Sequence, residues 1–243
     1  MKLSLTILAH GAAKETFMRH LPLWQALDPD YAVLMCPKND SITFSSVDVG
    51  AKVFVGSATL VELAVGSAEH AGRDSILRLK KVLNHLADLD GITHHLICEY
   101  DSFSLASTIK PQTGFTGNLV ANNEPCRFMT PRYANPPWLI DHMSLFQMQR
   151  AAEHYTDVWE EGYADRYLSA IAHLAGVPIL PYDPPGYTQE TIHERDWPSV
   201  IEAIHFGATM IHGVKDDETL ELVTDIYNRR QQTQTAVTES TAP

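Results

Sequence analysis

Ile92-Thr93-His94-His95-Leu96-Ile97-Cys98-Glu99-Tyr100-Asp101 is the stretch whose reading decides the fold. The short apolar run from Ile92 to Cys98 reads as a buried strand. It breaks at its C-terminal end into two carboxylates one residue apart, Glu99 and Asp101. In an open α/β sheet, ligands are bound outside the carboxyl ends of parallel strands, so an acidic pair at such an end is a candidate metal or ligand site. A solvated strand-end turn can be spelled the same way, because a lone D/E-x-D is common; the elements around it have to choose between the two. His94 and His95 lie inside the strand and read as structural residues.

Upstream of this stretch, Ile76, Leu77, Leu79, Val82, Leu83 and Leu86 keep helical register between Asp74 and Leu89, with Asp74 as the expected N-cap. The acidic pair therefore ends a helix-then-strand unit. Leu3 to Ala9 is the first expected strand. Ser4 and Thr6 interrupt it and Lys14-Glu15 follow, which argues against a signal-peptide core. Phe17, Met18, Leu21, Trp24 and Leu27 then give a helix over 15–27, interrupted or begun afresh at Pro22, and Tyr31 to Cys36 is a strand stopped by Pro37. Residues 38–72 are rich in small residues, with a strand expected only over 52–55.

Beyond the acidic pair, Pro111, Pro125, Pro131, Pro136 and Pro137 make 102–137 an irregular insert, with a strand expected over 118–121. Helices follow over 144–155 and 163–175, a strand over 179–182, a helix over 197–206, a short apolar run Thr209-Met210-Ile211, and a last helix over 216–230. Alternation of this kind implies βαβ units and a mostly parallel sheet flanked by helices. The expected organisation is one domain over 1–230, with a disordered polar tail over 231–243.

Composition narrows the classes of function. The 243 residues are 44 % hydrophobic, enough for one substantial α/β core, and 18 basic against 30 acidic side chains give a net charge of −12. That balance disfavours nucleic acid as a partner. The three cysteines, Cys36, Cys98 and Cys126, are widely spaced and read as free thiols in a reducing compartment, with cytoplasmic the expected location. No apolar run approaches the roughly 18 residues of a transmembrane segment.

Three constellations could carry chemistry. Glu99, Asp101 and His212 combine hard oxygen donors with an imidazole, a set that suits Mn²⁺ or Mg²⁺. Asp165, in Gly162-Tyr163-Ala164-Asp165, opens a helix, where it serves either as a cap or as a base toward an acceptor hydroxyl; Glu160 and Glu161 are alternatives for that role. At the end of the first strand, Ala9-His10-Gly11 is placed to approach a nucleotide, and Lys215 could hold a phosphate as a point charge. The chain has neither G-x-G-x-x-G nor G-x-x-x-x-G-K-[ST], which disfavours dinucleotide and P-loop readings. An α/β-hydrolase would use Ala9-His10-Gly11 as an oxyanion loop, but Val55-Gly56-Ser57-Ala58 lacks the final glycine of a nucleophile elbow. A non-catalytic α/β binding protein would need no more than the sheet.

In their order along the chain, Leu5-Thr6-Ile7-Leu8-Ala9-His10, Glu99-Tyr100-Asp101, Gly162-Tyr163-Ala164-Asp165 and His212-Gly213-Val214-Lys215 resemble the motifs of a GT-A-fold glycosyltransferase. The resemblance covers residues 3–217. It implies a GT-A-like open, mostly parallel twisted sheet and a metal-dependent, hexosyltransferase-type activity. The donor would be a nucleotide-diphospho-sugar and the acceptor a hydroxyl on a glycan, lipid-linked glycan, small molecule or protein. It further implies that Asp101, Glu99 and His212 bind a divalent ion on the diphosphate, and that Ala9, His10, Gly11, Glu99, Tyr100 and Lys215 contact the donor. Asp165 would lie near the acceptor as base. Glu99 replaces the first Asp of the usual motif, and Ala164 stands where the family often has Glu.

Overall fold

The computed structural model describes residues 1–8, 14–36, 54–55, 58–64, 71–121, 132–155, 164–183, 197–214 and 216–241. In chain order the elements are β1 (Leu3–Leu8), α1 (Lys14–Ala26), β2 (Tyr31–Cys36), β3 (Phe54–Val55), β4 (Ala58–Ala64), α2 (Ala71–Ala87), β5 (His94–Glu99), β6 (Ser102–Ser104), β7 (Phe115–Ala121) and β8 (Arg132–Asp141). They continue with α3 (His142–His154), α4 (Ala164–Leu174), β9 (Ile179–Pro181), α5 (Trp197–His205), β10 (Met210–His212) and α6 (Asp217–Thr241). Among these residues the main sheet has eight strands in the order β3-β4-β2-β1-β5-β8-β7-β9. The strands β1, β2, β4, β5, β7 and β9 share one direction, while β3 and β8 run against them. The architecture is thus α/β with a mixed sheet, compatible with a Rossmann-like fold.

Alternation along the central strands sends side chains to two cores. Leu3, Leu5 and Ile7 of β1, with Leu96 and Cys98 of β5, pack against Trp24 of α1, Ile204 of α5 and Val223 of α6. On the opposite face Ile97 packs with Ile76, Leu79, Val82 and Leu83 of α2, Leu145 and Met148 of α3, and Tyr167, Leu168 and Ile171 of α4. Each fully buried Leu or Ile contributes about 1.5–3 kcal/mol relative to exposure, so both faces of the sheet are anchored. Among the described residues no helix is long and apolar enough to cross a membrane.

The chain departs from the expected elements where local signals mislead. β8 is a ten-residue strand whose first six residues fall in the stretch expected to be irregular, and it holds Pro136 and Pro137 joined by a cis bond. Prolines cannot donate to a ladder, and the pairing accommodates them: the β7–β8 register shifts between Thr116 and Asn118. Side chains then serve the proline carbonyls, Asn118 Nδ2 donating to Pro136 O at 2.9 Å and Tyr182 OH to Pro137 O at 2.6 Å. Gly117 sits at this irregularity because a Cβ there would lie 2.8 Å from Asn135 O and 2.9 Å from Ala134 Cβ.

α1 continues through Pro22 rather than restarting there. Pro22 is on the exposed face, where water can serve the Met18 carbonyl that loses its intrahelical donor. α2 begins at Ala71, so Asp74 lies within the helix and is not its N-cap. β4, unanticipated in the small-residue stretch, pairs in parallel with β2. α6 extends to Thr241, through most of the polar segment expected to be disordered. Its apolar face ends near Tyr227, which ends the periodic signal, but no Gly or Pro interrupts the Gln, Thr, Ala and Glu residues that follow.

Candidate metal centre

Three strands set the site. From β1 the chain moves outward on one side through β2 and β4. It then crosses by way of α2 to β5 on the other side of β1. In open α/β sheets such a reversal marks the usual ligand position, beyond the carboxyl ends of the strands on either side of it, here β1 and β5. Glu99, the last residue of β5, is registered against Leu8, the last of β1, and so stands at that carboxyl end.

Past Glu99 the chain leaves the main sheet. It turns at Tyr100-Asp101 into β6, which pairs antiparallel with β10, placing His212 opposite Ser102. That pairing carries a residue from near the C-terminal end of the chain to the acidic turn. His212 Nε2 lies 3.3 Å from Glu99 Oε2 and 3.6 Å from Asp101 Oδ1. Asp101 and His212 are buried, and Glu99 is partly open to solvent. Among the described residues, this is the only group of His, Cys, Asp and Glu side chains whose donor atoms cluster closely enough to share a metal ion, all within 4.8 Å of one another.

The donor set fits a small divalent ion. Octahedral coordination with bonds of about 2.1 Å puts adjacent donors about 3.0 Å apart and opposite donors about 4.2 Å apart. The observed separations need only a slight contraction to reach those values. Both ring nitrogens of His212 are buried, and Nε2 faces the carboxylates of Glu99 and Asp101. An imidazole held amid carboxylates would give its electron pair to a metal as its proton is released. Burial works to lower the His212 pKa, but the hydrogen bond and charge of Glu99 and the charges of Asp101 and Asp165 outweigh it and hold it above its usual value.

Asp165 is the other acidic candidate. It lies in the first turn of α4, where the Arg166 backbone N–H donates to its Oδ1 at 2.8 Å. Burial pushes its carboxyl pKa up, and the charge of Glu99 pushes it further, against the Arg166 amide and guanidinium. The charge of Asp165 also acts to raise the pKa of His212.

Tyr100 packs its ring against the core on the α1 side. Its phenol is pushed up to about 12 by burial and by the charges of Asp101 and Glu99. Ala9, His10, Gly11 and Lys215 lie outside the described residues, as do Glu160 and Glu161. His95 is structural, as expected: it is fully buried, with Nδ1 2.7 Å from Ser4 Oγ and Nε2 3.0 Å from His142 Nδ1, at the opposite end of the sheet.

Sequence reasoning missed the residues that hold the acidic turn in place. Ser102 Oγ accepts from Glu99 N at 2.8 Å and donates back to Glu99 O at 3.1 Å. His20 Nδ1 donates to Tyr100 O at 2.9 Å, and Trp24 Nε1 to Ser102 O at 3.2 Å. Gly213 and Val214 donate from their backbone N–H groups to Asp101 O at 3.0 and 3.1 Å. The only sequence signal for the α1 residues was their spacing, one helical turn apart on the apolar face. No protein-family model and no curated protein matches this chain.

Proposed function

We propose that the protein is a metal-dependent glycosyltransferase of GT-A type that moves a sugar from a nucleotide-diphospho-sugar to an acceptor hydroxyl. The observation that carries this reading is the meeting of Glu99, Asp101 and His212 at the carboxyl end of β5. Carboxylates so concentrated repel a diphosphate unless a cation intervenes, and a divalent ion there neutralises the diphosphate and favours its departure. Asp101, Glu99 and His212 would hold Mn²⁺ or Mg²⁺.

Asp165 serves as the base toward the acceptor hydroxyl. A carboxylate with a raised pKa is a stronger proton acceptor than an ordinary one, which fits that role. The first βα loop, Ala9-His10-Gly11, and Lys215 contact the donor. The buried thiol of Cys98 accords with a cytoplasmic setting.

The test is a thermal-shift and calorimetric panel of UDP-, GDP- and dTDP-sugars, each with and without Mn²⁺. The expected result is stabilisation by one donor class that depends on the metal. A panel with no metal-dependent shift for any sugar nucleotide would refute the reading.

A further inference from the structure

We propose that His20 is a positioning residue, which holds the Glu99-Tyr100-Asp101 turn in the shape that lets both carboxylates reach His212. The observation is a set of backbone anchors, each supplied by a different part of the fold. The Glu99 carbonyl is held by Ser102 Oγ, the Tyr100 carbonyl by His20, the Asp101 carbonyl by the amides of Gly213 and Val214, and the Ser102 carbonyl by Trp24. His20 binds the middle carbonyl, between the two acidic residues.

The ring that makes this bond is costly to keep. His20 is fully buried, 4.8 Å from the Phe103 ring and 5.8 Å from the Trp24 ring by centroids. Its bond to a carbonyl requires the proton on Nδ1, which leaves Nε2 as a buried acceptor, and that nitrogen has no hydrogen-bond partner among the described residues. A purely apolar role would be better filled by a residue without that nitrogen. What the imidazole provides and an aromatic ring does not is one N–H aimed at Tyr100 O. Groups that orient metal-ligating residues in this way influence affinity without touching the ion. The metal chemistry of the turn rests on the function proposed above, whereas the docking of the turn against β10 does not.

The experiment therefore uses two readouts on the full chain. Hydrogen exchange of the Gly213 and Val214 amides, without metal, reports whether the Asp101 carbonyl stays docked, and exchange in α2 serves as the control for global stability. Mn²⁺ binding by calorimetry reports the carboxylate geometry. In His20→Phe, protection at Gly213 and Val214 should fall about tenfold with α2 unchanged, the loss of about one hydrogen bond. Mn²⁺ should bind about tenfold more weakly. His20→Asn keeps a donor at the Nδ1 position and should restore both readouts to within about threefold.

Unchanged protection in His20→Phe, or no rescue by His20→Asn, would overturn the inference. If His20→Phe does not fold, His20→Asn is compared with His20→Gln, which moves the donor one bond further out; equal protection in the two would also overturn it. A wild-type chain that takes up no Mn²⁺ while its Gly213 and Val214 amides still respond to His20 would leave the positioning role standing and remove the metal reading.

Discussion

Lowering the pH from 7 to 5 should destabilise this protein, with about 4 kcal/mol of loss coming from two histidines that the fold keeps neutral and the unfolded chain protonates. Burial lowers His95 from 6.5 to about 3, with the charges of His142 and His94 adding to the effect, and burial lowers His20 to about 4. Both residues are fully buried, so solvent screening does not discount these shifts. With folded pKa values depressed, the unfolded state binds more protons below pH 6.5. The stability these groups contribute is full above that pH and is lost as the pH falls, until each is also protonated in the fold. At pH 5 each histidine has lost about 1.5 units of linkage, about 2 kcal/mol.

His212 works in the opposite sense. Its raised pKa contributes stability that is present below 6.5 and is lost as the pH rises through the higher folded value, so it offsets part of the acid loss. The assay is urea unfolding at pH 7, 6 and 5 at constant ionic strength, extrapolated to water, for the wild type and for His95→Gln. The variant cannot titrate, and its loss between pH 7 and 5 should be smaller by about 2 kcal/mol. A wild-type loss under about 1 kcal/mol, or a variant with the full pH dependence, would refute the reasoning.

At the metal centre, Asp101→Ala should weaken Mn²⁺ binding by more than about 100-fold, beyond the effect of losing an orienting group, with far-UV circular dichroism unchanged; calorimetry that finds wild-type affinity would remove Asp101 as a ligand. Asp165→Asn should leave Mn²⁺ binding within about twofold while turnover falls by about 10²–10⁴; full residual turnover would exclude Asp165 as the base. Gly117→Ala should cost about 1–3 kcal/mol in urea unfolding, because its Cβ would meet the Asn135 carbonyl and the Ala134 side chain. Wild-type stability there would show that the β7–β8 irregularity yields readily.

Much of the scaffold was legible from local signals. β2 matches the expected segment, and β1, α3, α4, β9 and α5 fall within a residue or two of it, because each is bounded by a change of periodicity or by Gly and Pro. β8 was hidden because its prolines look like breakers to any local reading. Only the register shift with β7, and the donors from Asn118 and Tyr182, make them tolerable inside a sheet. β4 was hidden by flanking glycines, and the start of α2 by an Asp that resembles a cap.

The candidate site divides in the same way. Glu99, Asp101, Asp165 and His212 could be chosen by residue type and by position at strand or helix ends, since those are properties of short segments. The sequence by itself determined the α/β class, a sheet flanked by helices and this set of chemically capable residues. Only the tertiary structure decided which of them meet. The β6–β10 pairing that brings His212 to Asp101, and the α1 side chains that tie down the turn, are contacts between segments far apart in the chain. They form because closing the long loops is offset by burial and hydrogen bonds made throughout the folded protein, and no local pattern encodes that balance.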